Sequence, residues 1–266
     1  MKQVTASIIN NSKVLPYLAR SHARTILSSQ LIWLNCPEIA REAKPGQFVM
    51  VRCEGECILP RPLSVHQVNG DDIALFFAVW DGGKGTGWLS QGKAGDSIVL
   101  FGPLGNGFFV EPTSRNLLLV AGGMGIASLY FLAQEALKKE LSVTLLYGTA
   151  IENPYPKVSP GIKLINATED GSVGYHGMVT ELLPDFADWA DQVFACGPVP
   201  MYRNMANHYP QLKNKPVQVS LEVRMGCGCG VCYGCTIKTK RELKQVCQDG
   251  PVFDLDDVPW GELTEP

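Results

Sequence analysis

Four cysteines near the end of the chain restrict its fold and chemistry more than any other feature. Cys227, Cys232 and Cys235 are spaced C-x4-C-x2-C, and Cys247 follows after eleven more residues. The stretch MGCGCGVCYGC that carries the first three is too short and too glycine-rich to build an apolar core alone, so something must staple it. The opening MKQVTASIINNSKVLP has no apolar core of signal-peptide length, and nine is an odd cysteine count, so a disulfide framework is not expected. Ligation is the expectation, and the cytoplasm the expected compartment. C-x4-C-x2-C is the spacing that holds a 2Fe-2S cluster in plant-type ferredoxins, and the glycines let a loop curl so that its N–H groups face sulfur. A structural zinc site usually shows two C-x2-C pairs, and this chain has one, so zinc is the weaker alternative. Cys229, flanked by glycines, is a surplus thiol able to compete with Cys227 for one ligand position. Cys36, Cys53 and Cys57 have no matching pair in the sequence and are expected as small buried hydrophobes.

The remaining 220 or so residues upstream are long enough for two compact domains. A net charge of -3 with 18% charged residues lacks the basic excess that nucleic acid or an anionic membrane would favour, so neither is an expected partner. The uncharged run LLLVAGGMGIASLYFLA, residues 117–133, is nearly long enough to span a bilayer. GlyGlyMetGly in its middle splits it into strand, turn and helix, as an α/β unit requires.

Up to about Glu111, the short alternating runs QLIWLNC, QFVMVRC, LSVHQV, IALFFAVW and SIVLFG predict a small antiparallel barrel or sandwich. From Leu117 the pattern changes to strand, helix, strand in LLLVAGG, SLYFLAQEALKKE and SVTLLYGTA, with QVFACGP and PMYRNMANHY repeating the idea, as in a parallel doubly wound sheet. LKNKP, residues 212–216, reads as a linker. The expected division is 1–112, 113–215 and 216–266, an α+β multidomain chain.

Within that frame, Arg61-Pro62-Leu63-Ser64 and the turn Gly83-Lys84-Gly85-Thr86 together suit a phosphate, through a guanidinium fork, backbone N–H groups and a hydroxyl. Either alone reads as a surface charge or a hairpin turn. Gly122, Gly123 and Gly125 lie where a strand should pass into a helix whose N-terminus presents free N–H groups to an anion, though glycines there also serve close packing. Glu152 after the next strand, with no arginine near it, hints at the unphosphorylated ribose of NAD. Cys196 and Gly197 follow another strand and either line the nicotinamide end of the cleft or form a plain turn.

The order PGQFVMV, RPLS, GKGT, GPLGNGF, AGGMGIAS, ACGP, GCGCGVCYGC and VCQDGPVF resembles, over the whole chain, the electron-transfer subunits of NAD-dependent two-subunit bacterial dihydroorotate dehydrogenases, in the ferredoxin reductase-like superfamily. GPLGNGF, the cysteine cluster and CQDGPVF carry most of the specificity. The resemblance implies an FAD-binding antiparallel β-barrel, an α/β NAD-binding domain and a small 2Fe-2S module. It also implies a partner, the FMN-containing catalytic subunit that oxidises dihydroorotate to orotate in pyrimidine biosynthesis, in a heterotetramer of two of each. Its flavin contacts fall on Arg61, Pro62, Leu63 and Ser64, on Ala78, Val79 and Trp80, and on Gly85 and Thr86, and its cluster ligands on Cys227, Cys232, Cys235 and Cys247. The chain departs from the pattern at Cys229 and at Trp80, where a polar residue is usual.

Hydride transfer between stacked rings demands no acid or base, so no catalytic side chain is expected. The rival of the same class is a reductase subunit working between NAD(P)H and ferredoxin or polysulfide, where the first cluster ligand is by resemblance often aspartate. A zinc module that docks a partner is the rival of another class, and it leaves RPLS and AGGMGIAS without a task.

Overall fold

A computed structural model describes residues 2–21, 24–153 and 158–263. The first part holds β1 (Lys2–Ser21), β2 (Arg24–Asn35), a one-turn helix α1 (Pro37–Ala40), β3 (Phe48–Val51), β4 (Arg61–Asn69), β5 (Asp72–Trp80), α2 (Lys84–Ser90) and β6 (Ser97–Leu104). Its six strands close an antiparallel barrel in the order β1-β2-β5-β4-β3-β6. Five of these strands coincide with the predicted alternating runs. The strand that closes the barrel, β1, does not: its inward face begins with only Val4, Ala6 and Ile8, and polar residues stand between them.

The second part holds β7 (Asn116–Gly122), α3 (Ile126–Lys138), β8 (Ser142–Thr149), β9 (Ile162–Thr168), β10 (Tyr175–His176), α4 (Leu183–Ala187), β11 (Gln192–Cys196), α5 (Val199–His208) and β12 (Val217–Ser220). After it come β13 (Thr236–Lys238), β14 (Leu243–Gln245), α6 (Val246–Asp249) and β15 (Val252–Asp254). One seven-stranded sheet runs β10-β9-β8-β7-β11-β12-β15, parallel except for the antiparallel edge β15. Strand order reverses between β7 and β11, the crevice where open α/β sheets bind their ligands. The predicted linker LKNKP leads straight into β12, so the cysteine segment is stitched to the sheet at both ends by β12 and β15.

Three apolar clusters hold these layers. One fills the barrel, one lies under α3, and one lies under α4 and α5 on the opposite face of the sheet. That last cluster also takes in Phe48, Met50 and Leu104 of the barrel and Cys235, Ile237, Val246 and Cys247 of the tail, so all three parts of the chain share one core. Helix α3 is apolar on nearly all sides because it is enclosed: Leu129 and Leu132 face the sheet while Phe131 enters the barrel core. The connection between barrel and sheet is held by buried Gln192, whose Nε2 donates to the Phe109 carbonyl at 2.8 Å and whose Oε1 accepts from the Glu111 N–H at 2.9 Å. Among the described residues no helix is long and apolar enough to cross a membrane.

His66 of β4 lies fully buried at the seam between barrel and α3. Its ring stacks on Tyr130 at 5.2 Å and tilts against Phe76 at 5.4 Å, and its Nδ1 donates to the Ala127 carbonyl at 3.0 Å. Burial drives its pKa down to about 4, against the smaller upward pull of that carbonyl. The folded chain therefore refuses a proton that the unfolded chain accepts near pH 6.5, and stability is complete above that pH and lost as pH falls toward 4. His66→Phe is expected to reduce the fall in unfolding free energy between pH 7 and pH 4.5 by about 2 kcal/mol, measured by urea titration at both pH values. An equal fall in both proteins would contradict this.

Candidate functional site

The tail loop gathers its thiols in two pairs. Cys227 is in hydrogen-bond contact with Cys232, and Cys235 with Cys247. Cys235 and Cys247 are buried, Cys227 is half-buried and Cys232 is exposed. Peptide N–H groups point at every sulfur of the set. Those of Cys229 and Cys232 lie 3.4 Å from Cys227 Sγ, that of Gly234 3.5 Å from Cys232 Sγ, that of Cys247 3.4 Å from Cys235 Sγ, and that of Gly230 3.2 Å from Cys247 Sγ.

Such donors favour thiolate. Burial pushes the Cys227 thiol up, but the N–H groups of Cys229 and Cys232, with the Cys232 thiol, bring it down to about 6. Burial and the neighbouring Cys235 thiol push Cys247 up to about 12. Two pairs of thiols suit two iron atoms. Cys229 touches Cys227, and burial followed by that contact raises its thiol.

Glycines permit this loop for particular reasons. Gly228 has φ +74 and lies so close to the barrel that a Cβ would stand 2.5 Å from Met50 Cγ; at Gly230, φ +79, it would meet Gln248 Oε1 at 2.0 Å. The loop is therefore pressed onto β3. On its other flank β3 pairs with the RPLS strand, with Met50 opposite Pro62, Val49 opposite Leu63 and Phe48 opposite Ser64. The thiol loop and the expected flavin motif share one four-residue strand.

The two phosphate signals of the barrel also meet. Arg61 lies against the GKGT turn, where a Cβ on Gly85 would fall 2.5 Å from Arg61 Nε. The guanidinium is steadied by the Leu59 carbonyl, 2.8 Å from Nη1, and Lys84 of the turn pairs with Glu56. Trp80 ends β5 beside this turn, its carbonyl accepting from the Gly83 N–H at 2.9 Å, while Ala78 and Val79 are buried within the strand. No side-chain cap closes the first turn of α2, which leaves its N–H groups for an anion. A guanidinium, free amides and the Thr86 hydroxyl around one turn are the donor set a pyrophosphate takes.

At the reversal in strand order, the ends of β7 and β11 bring Gly122, Gly123, Gly125, Cys196 and Gly197 together. A Cβ on Gly125 would lie 1.8 Å from the Cys196 carbonyl oxygen, and one on Gly122 would lie 2.8 Å from Pro198 Cδ, so these glycines serve close packing. Gly123, with φ +53 and nothing near its Cβ direction, is the one that faces open space. Tyr202 Oη ties the crevice wall, accepting from the Gly197 N–H at 2.8 Å and donating to the Ser220 carbonyl at 2.7 Å. Burial pushes the Cys196 thiol up to about 12, so it stays protonated. Glu222 was not singled out in the sequence. It is exposed to solvent and close enough to Cys196 and Tyr202 for its charge to raise both groups. An acidic residue two positions after the strand VQVS was the available signal.

A family profile described as the iron-sulfur cluster binding domain of dihydroorotate dehydrogenase B matches residues 222–259. The electron transfer subunit of dihydroorotate dehydrogenase B (NAD(+)) from Desulforamulus reducens is 38% identical over 240 residues, covering 85% of this chain and 90% of that one. The chain belongs to this family of electron transfer subunits. The Caldanaerobacter subterraneus member is 36% identical over 245 residues, 90% of this chain and 97% of that one. Among solved structures, an NADH-dependent reduced ferredoxin-NADP oxidoreductase, studied for flavin-based electron bifurcation, superposes with a TM-score of 0.80 at 30% identity over 97% of this chain and 91% of that one. A ferredoxin NADP+ reductase from Neisseria gonorrhoeae with bound FAD and NADP shares the fold, with a TM-score of 0.62 at 17% identity over 84% of this chain and 94% of that one.

Two of the three motifs that carry the resemblance clasp each other. In GPLGNGF, Asn106 accepts the Val252 N–H at 3.0 Å and donates through Nδ2 to the carbonyls of Asp249 at 3.0 Å and Val252 at 2.9 Å. Its own N–H reaches the Gly250 carbonyl at 2.6 Å, so CQDGPVF is fastened to the barrel beside Cys247. Since the thiol loop depends on contact with β3, Gly228→Ala should cost about 2 kcal/mol or more through its left-handed backbone and the Met50 clash, and iron and sulfide content should fall with it. Gly87→Ala, where a Cβ meets nothing, is expected to leave both unchanged. Equal unfolding midpoints and iron contents in the two variants would refute the role of this contact.

Proposed function

We propose that this chain carries electrons from an FMN-containing dihydroorotate dehydrogenase catalytic subunit to NAD. In this reading a 2Fe-2S cluster is held by Cys227, Cys232, Cys235 and Cys247, and FAD by Arg61, Pro62, Leu63, Ser64, Ala78, Val79, Trp80, Gly85 and Thr86. NAD sits at Gly122, Gly123, Gly125, Cys196 and Gly197. Residues 1–112, 113–215 and 216–266 divide the labour, the last two sharing one sheet. The observation that carries the proposal is the shared strand: Met50 touches Gly228 of the thiol loop and pairs with Pro62 of the flavin motif.

When bound, the flavin would supply the exchange between hydride and single electrons that nicotinamide and an iron-sulfur centre respectively require. The chain's own residues then have placement to do. Arg61 and the α2 turn hold negative phosphate, buried β3 keeps water from between the two centres, and protonated Cys196 offers the crevice an uncharged wall. Glu152, exposed after β8, suits the two hydroxyls of an unphosphorylated ribose. No side chain is needed as acid or base.

The exposed end of the thiol set marks the docking face. Val231 (74% exposed) and Tyr233 (69%) flank Cys232, and Ile58 (94%) and Leu59 stand on the other wall beside Cys227. Bulky apolar side chains in water around an exposed redox ligand suit a protein partner, and two copies of each subunit would give a symmetric assembly. A second reading, electron transfer with ferredoxin, draws on the similarity to the ferredoxin-NADP oxidoreductase.

The two subunits purified together should reduce NAD when given dihydroorotate; ferredoxin-dependent turnover without it would favour the second reading. Cys232→Ser is expected to abolish cluster absorbance and that coupled activity while keeping FAD and NADH oxidation by artificial acceptors. Arg61→Ala should weaken FAD retention roughly tenfold or more with iron content intact. Loss of flavin from the Cys232 variant would overturn the assignment of separate sites.

A further inference from the structure

Cys53 and Cys57 do not behave as isolated buried hydrophobes. Cys53 follows β3, is 5% exposed, and its thiol donates to the carbonyls of Val51 at 3.7 Å and Gly85 at 3.6 Å. Cys57 returns to it across a tight turn at Gly55, φ +72, and the two thiols are in hydrogen-bond contact. Cys57 is half-buried against the barrel core. Both thiols line an open cleft of about 700 Å³ together with Arg52, Leu59, Phe101 and Cys227. A small solute thus has a route to a paired dithiol while the catalytic subunit does not cover this cleft, and electron relay makes no use of either thiol.

We propose that Cys53 and Cys57 are a reversible disulfide site, oxidised by small-molecule disulfides that enter this cleft. Cys57, the more accessible, attacks one sulfur of RSSR as thiolate, breaking the S–S bond and releasing RS⁻. Cys53 then attacks the Cys57 sulfur of the mixed disulfide and displaces the second RS⁻. The protons of the two protein thiols end on two RSH, and the protein has lost two electrons to RSSR. Burial and the adjacent Cys57 hold Cys53 up at about 11 while Arg61 pulls it down. Capping Cys57 removes its share of that opposition while burial stays, so the resolving attack by Cys53 is the slower of the two steps and quickens as pH rises.

The pair sits where closing it matters. The same loop carries Glu56, paired with Lys84 of the GKGT turn, and Leu59, whose carbonyl steadies Arg61. A Cys53–Cys57 bond withdraws the thiol donor from the Gly85 carbonyl and ties the loop between the phosphate turn and the Cys227 cleft. Such a bond in a thiol-reducing compartment is transient, formed under oxidative load.

The test uses the full chain with its cofactors, exposed anaerobically to glutathione disulfide, alkylated without reduction and mapped by peptide mass. The expected product is a 53–57 peptide two hydrogens lighter and unalkylated, with Cys57 labelling reduced about tenfold or more, restored by dithiothreitol, and iron and sulfide content unchanged. Cys53→Ser should stop at a stable Cys57–glutathione adduct. Full alkylation of both thiols after treatment, a persistent glutathione adduct in the native chain, or a bond from either thiol to Cys227 would each overturn the proposal.

Discussion

The contact between Gly228 and Met50 is the constraint on which the rest of the molecule depends. A left-handed glycine lets the thiol loop lie flat on β3, and any Cβ there would lift it away. Strand β3 is four residues long, buried throughout, and paired with β4 on one side and β6 on the other. It has no freedom to follow a displaced loop. Because RPLS is the next strand over, the loop's seating on Met50 also sets how near the thiol set stands to residues 61–64.

A glycine-rich tail of this size has too little apolar area to hold such a position by itself. It borrows the area instead. Cys235, Ile237, Val246 and Cys247 enter a core already built by α4, α5 and the sheet, and β12 and β15 add the segment to that sheet's edge. Asn106 supplies the directional part, answering three backbone groups of residues 249–252 with one side-chain amide. Hydrophobic burial fixes that the tail docks, and the amide fixes its register.

Much of this was legible in the sequence because the signals were local. The spacing of Cys227, Cys232 and Cys235, the strand-turn-helix at Gly122 to Gly125, and five of the six barrel strands are patterns over a few residues. What escaped was set by distant partners. β1 has a thin inward face and becomes a strand by pairing with β2 and β6. Glu222 meets Cys196 of β11 and Tyr202 of α5 only once the sheet is assembled. Cys36 and Cys53 are buried as expected, but Cys57 meets Cys53 only through the turn at Gly55. Trp80, an odd residue for a polar contact, lends its backbone carbonyl to the GKGT turn. At Gly125 the sequence left anion binding and close packing both open, and the Cys196 carbonyl packed on it is a contact that only the assembled sheet supplies.

The asymmetry of the thiol set follows from the same docking. Cys235 and Cys247 share the common core and receive one N–H each, whereas Cys227 receives two N–H groups and Cys232 one, with water beside them. Low dielectric opposes added negative charge, and N–H donors and solvent favour it. Negative charge on a metal centre bound here is therefore better tolerated at the outer pair than at the inner one. A diiron centre held by these thiols would meet more N–H donors and solvent at Cys227 and Cys232, beside exposed Val231 and Tyr233, and drier, core-packed surroundings at Cys235 and Cys247. An unsymmetrical ligand environment of this kind is what a one-way seat in a shared core produces, and a freely hinged module would have no reason to keep it.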